Sequence, residues 1–126
     1  MELAMIDAEL RLPGWGHQSG ILGLKEAVPP TDAASCADRQ LIMERIHRYC
    51  WGYDERQTEA LGACFTEDAV WDGGVFGKSV GREAIRKFFQ GASKMLPFAI
   101  HYVMNPIIEV DGNTAKGSWY LFQTCT

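Results

Sequence analysis

Residues Ala99 to Leu121 read AIHYVMNPIIEVDGNTAKGSWYL. Starting at Phe98, two sets of side chains alternate: Phe98, Ile100, Tyr102 and Met104 against Ala99, His101, Val103 and Asn105, the two-residue period of a strand. One face of a sheet therefore receives His101 among small apolar neighbours. The stretch IIEVDGNTAKGSWYLFQTCT then reads as a hairpin, with Asp111, Gly112 and Asn113 supplying the turn. In its second strand Ala115, Gly117, Trp119, Leu121 and Gln123 share a face. Strand character is undiminished at Cys125 and Thr126, so further strands, or another chain along that edge, are expected.

Upstream the period changes to that of helices. Ser35 with Asp38 fits an S-x-x-D start signal, and Ile42, Ile46, Tyr49 and Tyr53 then recur at helical spacing, with Gly52 near the end. A second helix is predicted over roughly Gln57 to Phe65, with Leu61, Cys64 and Phe65 inward, and FTEDAVWD then turns into a strand from Ala69 to about Asp72. Gly73, Gly74 and Gly77 loosen the segment beyond that strand. Gly81 precedes a third helix, REAIRKFFQG, in which Ala84, Ile85, Phe88 and Phe89 form the expected buried face and Gly91 the expected stop. Helices first and an antiparallel sheet afterwards make an α+β domain, expected over residues 35–126. Residues 1–34, punctuated by Pro13, Gly14, Gly16, Gly20, Gly23, Pro29 and Pro30, read as an arm. Trp15, Ile21, Leu22 and Leu24 equip it to pack on the domain or a neighbouring subunit, and a mobile leader is the alternative.

A chain of 126 residues with 47% hydrophobic content can bury one sizeable core. Its net charge of -4 offers no basic field for nucleic acid or an anionic membrane. Neither a secretory leader nor an apolar run of membrane-spanning length is present, so a cytoplasmic protein is expected. The four cysteines have no metal-ligand or CxxC spacing, which makes reduced thiols the default. GVFGKSVGREAI lacks the GxxxxGKS/T pattern of a phosphate cradle.

The order of elements, with YCWGYDERQTEAL, FTEDAVWD, GREAIRKFF and AIHYVMNPIIEVDGNTAKGSWYL, resembles the SnoaL-like branch of the nuclear transport factor 2-like superfamily from about Asp38 to Thr126. That resemblance implies a cone: a strongly bent antiparallel sheet wrapped by N-terminal helices. Its nearest look-alikes, bile acid 7α-dehydratase, hexachlorocyclohexane dehydrochlorinase and scytalone dehydratase, eliminate a group from a ring without metal or organic cofactor. By motif position their catalytic Asp falls on Asp54 and their His on His101, while a site tyrosine falls on Tyr49. Two departures stand out. Gln123 and Trp119 occupy strand positions where relatives have a carboxylate or a second His, and the relatives' Arg belongs to a strand beyond this sequence. The resemblance also implies a homodimer or homotrimer.

Elimination from a ring needs a base near neutral pH, which suits His. An Asp on one ring nitrogen fixes the tautomer and favours the imidazolium. The expected enzyme is thus a cofactor-independent lyase of the dehydratase type, or a related isomerase, acting on a hydrophobic cyclic small molecule. His101 is its base, Asp54 the orienting partner and Tyr49 an auxiliary acid, with Tyr53, Trp71, Phe88, Val103, Trp119, Leu121 and Gln123 lining the substrate site. The bland alternatives are a core histidine satisfied by a carbonyl, a solvated Asp54, and a Tyr49 that only packs with Ile42 and Ile46. Tyr49 and Asp54 converge only if the helix ends near Gly52 or Tyr53, because five residues on an unbroken helix differ by roughly 140° in direction. His17 and His47 are expected in solvent, Asp72 in a structural role, and Trp51, Phe76 and Met104 in core or pocket lining. The rival class is a noncatalytic ligand-binding or subunit-interaction module of the same fold.

Overall fold

The computed structural model of the chain describes residues 33–126. The expected arm and His17 lie outside the described residues, except that Ala33 and Ala34 are already helical. Helix α1 (Ala33–Asp54) is followed by the short α2 (Thr58–Gly62), strands β1 (Val70–Asp72) and β2 (Lys78–Val80), helix α3 (Arg82–Met95), and two long strands, β3 (Ala99–Asp111) and β4 (Thr114–Cys125). The strands form two antiparallel ladders, β1 with β2 and β3 with β4. This is the helices-then-sheet order that the sequence predicts.

Helix α1 is the spine of the packing. Ile42, Ile46, Cys50 and Tyr53 recur every three or four residues and are all buried, so one stripe serves two clusters. Toward its start, Ile42 and Ile46 meet Ile108, with Met43, Val103, Val110, Ala115 and Trp119 packed around them. Toward its end, Tyr53 joins Leu61, Cys64, Phe65, Ala69, Ile85 and Phe89. Leu61 and Ile85 have no exposure at all, and burial of each side chain contributes roughly 1.5–3 kcal/mol. Gly52 lets α2 approach: a Cβ there would lie 3.0 Å from the Leu61 backbone nitrogen and 3.0 Å from its Cβ.

Several local expectations need correction. Ser35 lies inside α1, already helical with Ala33 and Ala34 before it. Helix α3 runs through Gly91 to Met95, because Ala92 and Leu96 continue to pack on the core; the helix stops ahead of Pro97, whose ring disfavours a helical residue before it. Ala84 is exposed, on the side of α3 away from buried Ile85 and Phe89. Trp51 (67% exposed), Phe76 (74%) and Met104 (43%) are not core: Trp51 is off the α1 stripe, Phe76 lies in the 3₁₀ turn Gly74–Phe76, and Met104 is on the outer sheet face. Cys50, Cys64 and Cys125 are free thiols. No helix among the described residues is long and apolar enough to cross a membrane.

β3 is one strand where the sequence predicts two segments. Asn105, in the left-handed region at φ 53°, and Pro106, which has no N–H to donate, together interrupt the pairing with β4, since Met104 pairs with Tyr120 and Ile107 with Ser118. The extra residue inverts the alternation. Ala99, His101 and Val103 face the helices before the bulge, and Ile108 and Val110 do so after it. Beyond Asp111 the chain reverses through Gly112, at φ 54°, and Asn113.

Candidate functional site

Asp54 is the last residue of α1, and the helix is unbroken up to it. Two backbone bonds close that end: Arg56 N–H donates to the Tyr53 carbonyl (3.0 Å) and Gln57 N–H to the Gly52 carbonyl (2.8 Å). This is the Schellman pattern, with Arg56 at φ 57° in the left-handed position that glycine usually fills. The side chain of Asp54 then reaches across to β3, 47 residues on in sequence. Its Oδ2 accepts the backbone N–H of His101 at 3.0 Å, and its Oδ1 lies 2.5 Å from His101 Nδ1.

Both oxygens of one carboxylate are therefore spent on one residue. An ionised carboxylate only accepts, so Nδ1 carries the proton and Nε2 is left with its lone pair as the basic atom. The contact is sheltered, since the side chains are 7% and 16% exposed. The backbone bond adds an orienting constraint that the spacing did not disclose. It ties the carboxylate to the backbone of β3 as well as to the imidazole.

One aromatic ring stands against His101, and Phe89, Phe88 and Trp71 pack on from it. Tyr53, expected among the lining residues, stands edge-on to the imidazole with ring centroids 4.7 Å apart, and edge-on to Phe89 at 5.3 Å. Trp71 lies 4.5 Å from Phe88 and 5.1 Å from Phe89. Val103 and Trp119 pack against the Ile42, Ile46 and Ile108 cluster. Gln123 is directly opposite His101 in the ladder and Leu121 opposite Val103, and both are exposed.

Tyr49 is placed apart from the pair. Because α1 does not break before Asp54, the two side chains leave it in different directions; Tyr49 sits edge-on to Phe65 (5.7 Å) and Phe89 (5.6 Å). Burial pushes its phenol well above the ordinary tyrosine range, opposed in part by a hydrogen bond with Trp71. No hydrogen bond joins it to Asp54 or His101 among the described residues. Burial likewise raises the Tyr53 phenol, with the neighbouring Cys125 and Asp54 adding to it. Asp72 accepts the Gly74 N–H (3.0 Å) and pairs with Lys78 (3.4 Å), a turn-closing role, and His47 is exposed.

Sequence reasoning missed Arg56, whose side chain donates to the Pro97 carbonyl at the approach to β3. Nothing in the sequence marks an arginine as a left-handed helix cap, because glycine is the residue that carries that signal.

A SnoaL-like domain model matches residues 34–126. No curated protein gives a significant match. Several solved structures resemble the chain, three of them as follows. One, from Novosphingobium aromaticivorans and provisionally named an aromatic ring hydroxylase, is 28% identical with a TM-score of 0.66 over 71% of this chain and 66% of that one. A Nostoc punctiforme protein of unknown function with a cystatin-like fold is 26% identical with a TM-score of 0.64, covering 69% and 65%. The third, also from Novosphingobium aromaticivorans and provisionally named a scytalone dehydratase, has a TM-score of 0.67 over 72% and 62%, and at 21% identity it speaks to fold alone. The chain thus spans 66%, 65% and 62% of these three proteins. With the family model running the length of the segment that carries Asp54 and His101, the chain belongs to the SnoaL-like domain family of the nuclear transport factor 2-like superfamily.

Proposed function

We propose that the protein is a cofactor-independent lyase of the dehydratase type, with a related isomerisation as the nearest variant, acting on a hydrophobic cyclic small molecule. The observation that carries this is the grip of Asp54 on both the backbone N–H and Nδ1 of His101. Nε2 takes a proton from the carbon next to an activating carbonyl, the C–H electron pair becomes the new C=C bond, and hydroxide departs from the adjacent carbon. The imidazolium, stabilised by Asp54, returns the proton to the leaving oxygen, so water is released and the base is restored. Tyr49, expected as an auxiliary acid, is assigned to shaping the wall, since its phenol is turned to Trp71. A cyclic substrate is supported by the Tyr53, Trp71, Phe88 and Phe89 rings and by the aromatic ring named for the 28%-identical neighbour. Such acid-base assistance contributes roughly 10²–10⁴-fold.

The test uses fused-ring β-hydroxy ketones, read by the rise of enone absorbance. Asp54→Asn and His101→Ala are expected to lower the rate by about 10²-fold or more while the far-ultraviolet dichroism is retained. Turnover equal to that of the parent protein in either variant overturns the assignment.

One observation favours the subunit-interaction reading. Tyr102, Met104, Tyr120 and Phe122, on the sheet face opposite His101, are 50%, 43%, 58% and 54% exposed. A patch of this kind with no charge in it suits a second copy, as homodimer or homotrimer, and light scattering decides it: a monomer at micromolar concentration sinks this reading.

A further inference from the structure

We infer that Arg56 is a positioning residue, which holds the end of α1 against the start of β3 and so fixes the Asp54 to His101 geometry. Three observations converge on it. Arg56 adopts φ 57°, one of only two non-glycine residues with positive φ among the described residues. A side chain at that φ is strained, and such strain persists where the surroundings over-determine the conformation. Next, the guanidinium donates to the carbonyl of Pro97, 41 residues away in sequence. Pro97 lies in the short link between α3 and β3, four residues before His101. Finally, Arg56 is two residues after Asp54, and its own N–H closes the helix end on Tyr53, whose ring stands against the imidazole.

The two ends of the join are thus tied at two points. Asp54 holds His101, and Arg56, two residues further on, holds Pro97. With only the first tie, α1 could pivot about the carboxylate, and a small pivot opens the short Nδ1 contact. A second tie removes that freedom. Glycine at 56 would relieve the backbone strain, and it would lose the side chain that makes the tie. Arg56 also lines an open depression with Thr58, Gln90, Ser93 and Lys94.

The geometric claim stands independently of turnover; its catalytic meaning rests on the function proposed above. The experiment compares Arg56→Gly and Arg56→Lys with the parent chain by NMR, following exchange of the His101 Nδ1 proton with water and of the Leu61 amide, which reports wider opening of the core. For Arg56→Gly the Nδ1 proton is expected to exchange at least about tenfold faster while the Leu61 amide is unchanged or slower, because strain relief acts on the fold and loss of the tie acts on the pair. Arg56→Lys, which keeps a donor of similar reach, is expected to return the Nδ1 proton to within about threefold of the parent. Parallel change of both reporters in Arg56→Gly, or no change of the Nδ1 proton, overturns the inference. If the glycine variant does not fold, Arg56→Asn, which tolerates positive φ but is too short to reach Pro97, takes its place, and parallel change of both reporters or an unchanged Nδ1 proton overturns the inference there too. Loss of activity in Asp54→Asn together with unaltered Nδ1 exchange in Arg56→Gly defeats this inference and leaves the dyad intact; the reverse pattern defeats the dyad's role.

Discussion

Replacing Gly52 by alanine probes the close approach that sets the direction of α1 just before Asp54. A Cβ at this position would lie 3.0 Å from the Leu61 Cβ, 3.0 Å from its nitrogen and 3.1 Å from its Cα. Ordinary carbon contacts run at about 3.5–4.0 Å, so α1 and α2 must separate by roughly 0.5–1 Å. Two of the three atoms are backbone, and Leu61 is fully buried, so no flexible side chain can swing aside. Overpacking of this kind costs about 1–3 kcal/mol. Alanine offsets roughly 0.5–1 kcal/mol of that through its better helix propensity. The net expectation is destabilisation by about 1 kcal/mol, which at a urea m-value of roughly 1–2 kcal/mol/M lowers the midpoint by about 0.5–1 M with the slope unchanged. Equilibrium urea unfolding followed by tryptophan fluorescence measures it. A midpoint equal to or above that of the parent would mean that the contact is not limiting, and the account of how α2 braces the Asp54 end of α1 would be wrong.

Ile85→Ala removes a side chain with no exposure and should cost about 2–5 kcal/mol in the same urea assay, whereas a loss below about 1 kcal/mol would show a core able to collapse around the cavity. Burial first, then the charge of Asp54, pushes the Cys50 thiol up to about 11, so alkylation of the folded protein at neutral pH should label exposed Cys125 well ahead of Cys50. Comparable labelling of the two, read by peptide mass mapping, contradicts that packing. Arg86 holds the Glu83 carboxyl down to about 2 through a hydrogen bond, so the stability from this contact is present above the ordinary glutamate value of 4.5 and is lost as pH falls toward 2. Glu83→Gln should flatten that acid limb of Tm against pH, and because Glu83 is exposed, added salt should shrink the difference; an identical limb in the variant rules the contact out.

Much of this protein is legible in local chemistry. The α1 stripe of Ile42, Ile46 and Tyr53, the inward Leu61 and Phe65, and the Gly112 turn stem from periodicity and turn propensity, which act within a few residues. Resemblance supplied the suggestion that Asp54 and His101 belong together. Spacing alone is silent there, because residues 47 apart in the chain meet only through tertiary packing.

Only the folded chain decided how that meeting is made. The bulge at Asn105 and Pro106 inverts the alternation of β3, so its inward set could not be extended past Met104 from the sequence. Whether Gly91 would stop α3 depended on the core contacts of Ala92 and Leu96, which outweigh a glycine's local cost. Tyr49 was separated from Asp54 by the continuity of α1, and the strained Arg56 was placed at its cap by contacts reaching Pro97. Sequence determines which side chains want burial and which turns are cheap; the direction and grip of each functional group come from non-local contacts that no short window contains.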